Sequence, residues 1–257
     1  MIDIDNVVDI AKVAGQKILE IYESDFEHYT KEDKSPLTEA DLQANAYICS
    51  ELMKAYPDIP ILSEEGGIPH FRERVSWERF FLIDPLDGTK EFIKKNGEFT
   101  VNIALIENRF PAAGVIYVPT QSKTYMAQKG KGAFRIFKGK KEPIQVQPVG
   151  KPTRVVSSRS HDNLKTREFV DRIYDNYEFT SVGSSLKFCY VAEGFAQLYP
   201  RLGPTSEWDT AAAQCVVEEA GGSVIRVDTQ ERFFYNKEDI LNPGFLVLSD
   251  PAMDLKL

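Results

Sequence analysis

Four short apolar runs in close succession constrain this chain more than any other feature. Residues 99–106, 113–118, 124–128 and 133–137 each have strand length. Asn108-Arg109, Pro119-Thr120 and Lys129-Gly130-Lys131-Gly132 separate them. Connections that short join antiparallel neighbours, so the spacing predicts a meander. Upstream, Val7, Val8, Ala11, Ala14, Ile18, Ile21 and Tyr22 recur at helical spacing. A second helix is predicted from Thr38 to Pro57, with Thr38 and Asp41 at the spacing of a capping box. Residues 27–36 read as a loop, 69–74 as a mobile-looking segment, and 138–152 as a polar connector. Beyond residue 152 the pattern changes. Strands at 153–156, before Val182 and at 197–200 alternate with helices around Leu164 to Ile173, after Gly183-Ser184-Ser185 and after Ser206-Glu207-Trp208-Asp209. The expected class is α/β (α+β), with an antiparallel meander half over 1–150 and an α/β half over 151–257.

The chemistry-bearing residues are acids. An apolar run, Phe80-Phe81-Leu82-Ile83, leads into Asp84-Pro85-Leu86-Asp87-Gly88-Thr89. Proline delays any helix, and Gly88 lets the backbone come close to a ligand. A helix starting at Thr89 would turn its free N–H groups toward the space between the carboxylates. An Asp-Gly turn with no chemistry is the simpler alternative. Glu64 follows another short strand, in a Glu64-Glu65-Gly66-Gly67 sequence that equally suits a solvated turn, and Asp209 stands at a helix start. Converging carboxylates repel unless cations neutralise them, and a set with neither His nor Cys favours Mg²⁺, or Mn²⁺, over zinc.

Composition narrows the partners. With 257 residues, 42% of them hydrophobic, the chain can bury a core for one large domain or two packed halves. A net charge of −8 disfavours a nucleic-acid polymer, though metal ions could still bring an anionic ligand to an acidic protein. Cys49, Cys189 and Cys215 form no CxxC pair and read as free thiols of a reducing cytoplasm. The acidic start and the lack of a long apolar run predict neither a signal peptide nor an integral membrane segment.

Three segments, Leu62-Ser63-Glu64-Glu65, Asp84-Pro85-Leu86-Asp87-Gly88-Thr89 and Trp208-Asp209-Thr210-Ala211-Ala212, resemble the signature motifs of the inositol monophosphatase superfamily, in its order and at its separations. The resemblance runs through most of the chain, including Lys34-Ser35-Pro36. Within the superfamily it is strongest to CysQ-type 3'(2'),5'-bisphosphate nucleotidases. The segments that carry this are Thr89-Lys90-Glu91-Phe92-Ile93, Asn96-Gly97-Glu98-Phe99-Thr100-Val101-Asn102, Ser158-Arg159-Ser160-His161 and Gly183-Ser184-Ser185-Leu186-Lys187-Phe188-Cys189.

The resemblance implies a layered α-β-α-β-α sugar-phosphatase fold. It implies that Glu64, Asp84, the carbonyl of Leu86, Asp87 and Asp209 bind two or three Mg²⁺ ions. Thr89, paired with Asp41, would orient and activate water beside the ion that Glu64 holds. Gly88 and Thr89 would contact the scissile phosphate. Ser158, His161, Gly183, Lys187 and Asp209 would meet a nucleotide bisphosphate, with Arg159 and Arg201 as further candidates. A cap or surface role for His161 stays open, as does the capping role of Asp41. The implied reaction is removal of the 3'-phosphate of adenosine 3',5'-bisphosphate, by which relatives recycle the by-product of sulfate assimilation, many of them inhibited by Li⁺. An inositol or sugar monophosphatase, or a catalytically silent metal- and nucleotide-binding module, are the other readings.

Overall fold

The computed structural model describes residues 2–31, 36–159 and 164–253. It opens with α1 (Ile4–Tyr22), capped by Asp3, whose side chain accepts the Asp5 N–H at 3.0 Å. Two short antiparallel strands follow, β1 (His28–Thr30) and β2 (Pro36–Thr38), and then α2 (Glu39–Ala55). Next comes a seven-stranded sheet in chain order: β3 (Ile61–Ser63), β4 (Arg79–Asp87), β5 (Thr100–Glu107), β6 (Phe110–Val118), β7 (Lys123–Gln128), β8 (Ala133–Phe137) and β9 (Lys140–Ile144). Short helices α3 (Phe71–Arg74) and α4 (Thr89–Ile93) flank β4. Only the β3–β4 pair is parallel in this sheet; the remaining pairs form the expected meander.

The second part begins with β10 (Thr153–Ser158), α5 (Leu164–Ile173), β11 (Tyr177–Val182), α6 (Leu186–Ala192) and β12 (Leu198–Arg201). It continues through β13 (Thr205–Ser206), a 3-10 turn at Glu207–Asp209, α7 (Ala211–Glu219), β14 (Ser223–Arg226), β15 (Leu241–Asn242) and β16 (Phe245–Leu248). Strands β11-β10-β12-β16-β14 form a second, mixed sheet.

Strand β5 explains the layering. Its side chains alternate by period two. Val101, Ile103 and Leu105 face the core shared with α1 and α2, while Ala104 and Ile106 face the core shared with α6, α7 and the second sheet. A strand covered on both faces reads as a continuous apolar run. Helix α5 packs on the far side of the second sheet through Val170, against Val155, Leu198 and Leu246. The order is therefore α1/α2, sheet, α6/α7, sheet, α5, as the α-β-α-β-α expectation has it.

Three loop expectations need correction. Residues 27–36 include β1 and reach β2, because the chain pairs back on itself ahead of α2. The segment 69–74 is anchored. Arg74, 1% exposed, donates to Asn236 Oδ1 (2.9 Å), the Lys237 carbonyl (2.6 Å) and the Glu238 carbonyl (2.8 Å). Within 138–152, residues Lys140–Ile144 form the last strand of the first sheet.

Candidate active site

Strand β3 ends at Ser63, and the Glu64 N–H continues the parallel pairing by donating to the Ile83 carbonyl at 3.1 Å. Glu64 therefore stands beside Asp84. Asp84 is 2% exposed, and its Oδ1 accepts the Leu86 N–H at 3.0 Å, folding the chain over Pro85. The β4–β5 register shifts between Asp84 and Asp87, so the strand twists out of the sheet where its acids lie. Asp209 enters from the other side of the molecule at the foot of α7, where its Oδ2 accepts the Ser206 N–H at 2.7 Å. One oxygen each from Glu64, Asp84 and Asp209 lies within 4.8 Å of the others.

Burial pushes all three carboxyls above the ordinary carboxylate range, and neighbouring carboxylates add to it, Glu65 and Asp41 for Glu64, and Glu64 and Asp87 for both Asp84 and Asp209. For Glu64, the Lys31 ammonium opposes the shift from 2.9 Å. This crowding of hard oxygen donors, costly without a cation and free of His and Cys, fits a divalent metal. Asp87 stands outside the close trio. Its Oδ2 accepts Ser185 Oγ at 2.7 Å and Asn102 Nδ2 at 3.3 Å, and it faces the same cleft.

Gly88 follows with φ +94°, a left-handed conformation suited to glycine, and a Cβ there would lie 3.0 Å from the Glu98 carbonyl oxygen. Helix α4 then starts at Thr89. Thr89 Oγ1 lies 3.1 Å from Asp41 Oδ1 and 3.3 Å from the Leu86 carbonyl. The other oxygen of Asp41, Oδ2, accepts the backbone N–H (2.8 Å) and hydroxyl (2.6 Å) of Thr38, completing the capping box of α2. One carboxylate thus makes both contacts. Burial raises the Asp41 pKa to about 6 despite the two Thr38 bonds, which favour the charged form.

Several of these groups line an open cleft. The lining includes Glu64, Asp87, Gly88, Thr89 and Asp209 together with Ser158, Gly183, Ser184, Lys187 and Arg201. Lys187 is 6% exposed, and its Nζ donates to the Ser184 carbonyl at 2.6 Å. Burial lowers its pKa to about 8, against the pull of Asp87.

The sequence profile of the inositol monophosphatase family matches residues 3–251. The chain belongs to this family. It is 46% identical over 246 residues to the 3'(2'),5'-bisphosphate nucleotidase CysQ of Salmonella typhimurium, covering 95% of this chain and 98% of the relative. The corresponding protein of Escherichia coli K12 is 45% identical over the same coverage. Among solved structures, CysQ from Bacteroides thetaiotaomicron superposes with a TM-score of 0.86 at 41% identity over 95% of each chain. An inositol monophosphatase of Thermotoga maritima superposes at 0.80 with 26% identity, covering 96% of this chain and 92% of that one. As a family member, the chain carries the family's acidic metal site in its described residues.

Of the residues expected at the site, His161 lies outside the described residues. Arg159 does not line the cleft; it pairs with Glu98 at its margin. Lys31 escaped the sequence reading: it contacts Glu64 at 2.9 Å and Glu65 at 2.5 Å, and an isolated lysine in a polar run gives no signal of that. Asn102 escaped too, because a polar residue inside an apolar strand shows its purpose only once Ser185 is found 2.9 Å away. Trp208 is 8% exposed, in the core behind Asp209. Among the described residues, no helix is long and apolar enough to cross a membrane.

Proposed function

We propose that this protein is a 3'(2'),5'-bisphosphate nucleotidase that removes the 3'-phosphate of adenosine 3',5'-bisphosphate, giving AMP and phosphate. The observation that carries the reading is one cleft that holds both an acidic cluster and a buried lysine. Glu64, Asp84 and Asp209 each place an oxygen within 4.8 Å of the others, beside Asp87 and Thr89. Lys187, buried at the start of α6, lines the same cleft. A substrate with two phosphates suits such a cleft, the scissile one at the acids and the second at the lysine. The high identity to CysQ nucleotidases over nearly the full length supports the same choice.

Glu64, Asp84, the Leu86 carbonyl, Asp87 and Asp209 would hold Mg²⁺, with Mn²⁺ also accommodated by the oxygen set. When bound, these ions supply positive charge for the phosphoryl oxygens and make water more acidic. The protein's own groups do the rest. Thr89 Oγ1 donates to Asp41 Oδ1, so its lone pairs are turned to accept from a water and to aim its oxygen at phosphorus. As that water's oxygen bonds to phosphorus and the bond to the ribose 3'-oxygen breaks, a proton of the water passes through Thr89 Oγ1 toward Asp41, whose raised pKa of about 6 suits it to receive one, and the departing 3'-oxygen takes a proton from solvent water to become the 3'-hydroxyl. The backbone N–H groups of Gly88 and Thr89 donate to the phosphoryl oxygens. Ser158, Gly183, Lys187 and Asp209 orient the nucleotide, and His161 joins them in this reading. The chain divides near residue 150: 1–150 holds most metal ligands, and 151–257 supplies Asp209 and the nucleotide side. The three free cysteines support a cytoplasmic setting.

Phosphate release with Mg²⁺, measured on adenosine 3',5'-bisphosphate and on inositol 1-phosphate, tests the reading. A clear preference for the bisphosphate is expected. Preference for the inositol ester would overturn it in favour of an inositol monophosphatase, and binding without release from either would mark a silent module.

A further inference from the structure

Glu98 reaches the turn that opens α6 with both its side chain and its backbone. Its Oε2 accepts the Gly183 N–H at 2.8 Å. The same carboxylate takes Arg159 at two points, Nε at 2.7 Å and Nη2 at 2.6 Å, and Arg159 Nη2 also donates to the Ser181 carbonyl at 2.7 Å. The ends of β10 and β11 are thus tied to the segment preceding β5. Backbone contact is equally close: a Cβ on Gly183 would lie 2.8 Å from the Glu98 carbonyl oxygen, the same atom that a Cβ on Gly88 would approach to 3.0 Å. One carbonyl group therefore abuts both Gly88, which follows Asp87, and Gly183, in the turn that opens α6.

Glu98 is itself held. Its N–H donates to Asn96 Oδ1 at 3.0 Å, and the neighbouring Phe99 ring packs on Phe92 and Tyr22 with centroids 5.2 and 5.0 Å away. The far end of the turn is pinned separately, since Ser185 Oγ donates to Asp87 Oδ2 at 2.7 Å. With Gly183 fixed by Glu98 and Ser185 by Asp87, the Ser184 carbonyl that receives Lys187 Nζ has little freedom.

We propose that Glu98 is a positioning residue for the second-phosphate pocket: by anchoring Gly183 and Arg159 it sets the distance between Lys187 and the Asp87–Thr89 segment, and so selects substrates with two phosphates over those with one. The inference rests on the reading of Lys187 as the group that meets the second phosphate. Glu98 touches neither phosphate in this scheme. Its loss therefore weakens recognition of the second phosphate and leaves the reacting one alone.

Steady-state constants for adenosine 3',5'-bisphosphate and adenosine 3'-monophosphate, measured with Mg²⁺ on the full chain, decide it. Removing a charged acceptor, E98A should raise KM for the bisphosphate about tenfold, with kcat and both constants for the monophosphate within about twofold of wild type. E98Q keeps an acceptor for Gly183 and should restore KM to within about threefold of wild type. E98D, which stays charged but is shorter by one C–C bond of about 1.5 Å, should behave between E98A and E98Q, and it decides the matter should E98A not fold. Equal losses on the two substrates, or wild-type KM in E98A or E98D, would overturn this inference alone. A wild-type protein inactive on the bisphosphate would overturn the underlying reading and this inference with it.

Discussion

Asp41 uses its two oxygens differently: Oδ2 is committed to Thr38, and Oδ1 is left for Thr89. In the proposed reaction that division fixes where the Thr89 hydroxyl points. T89A should therefore lower kcat by roughly 10²–10³, while T89S stays near wild type in the same phosphate-release assay. A T89A protein with near-normal turnover would remove Thr89 from the reaction. The acid trio makes a second claim. Asp209 is pushed up to about 8 by burial and by the charges of Asp87 and Glu64. A carboxyl with a higher pKa folded than unfolded binds more protons in the folded state, so its contribution to stability falls as pH rises between the two values, here from about 4 to about 8. In metal-free protein, D209N should thus raise Tm relative to wild type, with a gain that grows from about pH 5 to pH 8. Saturating Mg²⁺ should shrink the gain by stabilising the wild type more than D209N, which has lost one of the proposed ligands. A gain that is flat or shrinks with pH would contradict this electrostatic account. At this scale, the acids stood out by residue type, but a turn or a cap explained each of them as well, and only the family's three motifs assigned them to metal. Lys31 did not stand out, since its meaning comes wholly from Glu64 and Glu65, more than thirty positions away.

Elements carry the site as much as side chains do. The capping box of α2 both starts the helix and holds Asp41, so T38A should cost about 1 kcal/mol in denaturant unfolding and also depress kcat. T38S should recover both. Helix α3 offers a test remote from the cleft. Arg74 satisfies Asn236 Oδ1 and two backbone carbonyls while 1% exposed, so R74M should cost about 3–5 kcal/mol by leaving them unpaired. An unfolding midpoint within error of wild type would contradict that assignment. Arg74 also shows why the segment read as mobile, because an arginine among charged neighbours looks solvated until its partners at 236–238 are known. Strand β9 was hidden for another reason. Four of its five residues, Lys140 to Pro143, are exposed on a charged sheet edge, and such an edge lacks apolar alternation. The doubly covered β5, by contrast, was plain in the sequence.

For the whole molecule, the five layers bring four element ends to one place: the end of β3 with Glu64, the end of β4 with Asp84 and Asp87, the start of α7 with Asp209, and the start of α6 with Lys187. The meander and the alternating second half were readable from periodicity. Their stacking became an expectation only through family resemblance, since no local pattern states which sheet face meets which helix. The proposed division of labour, acids for the reacting phosphate and lysine for the second, has one direct measurement. Adenosine 3',5'-bisphosphate is turned over with Mg²⁺ in ¹⁸O-labelled water, and both products are analysed by mass. The account requires inorganic phosphate carrying a single ¹⁸O and unlabelled 5'-AMP. Release of 3'-AMP, or phosphate without label, would contradict it.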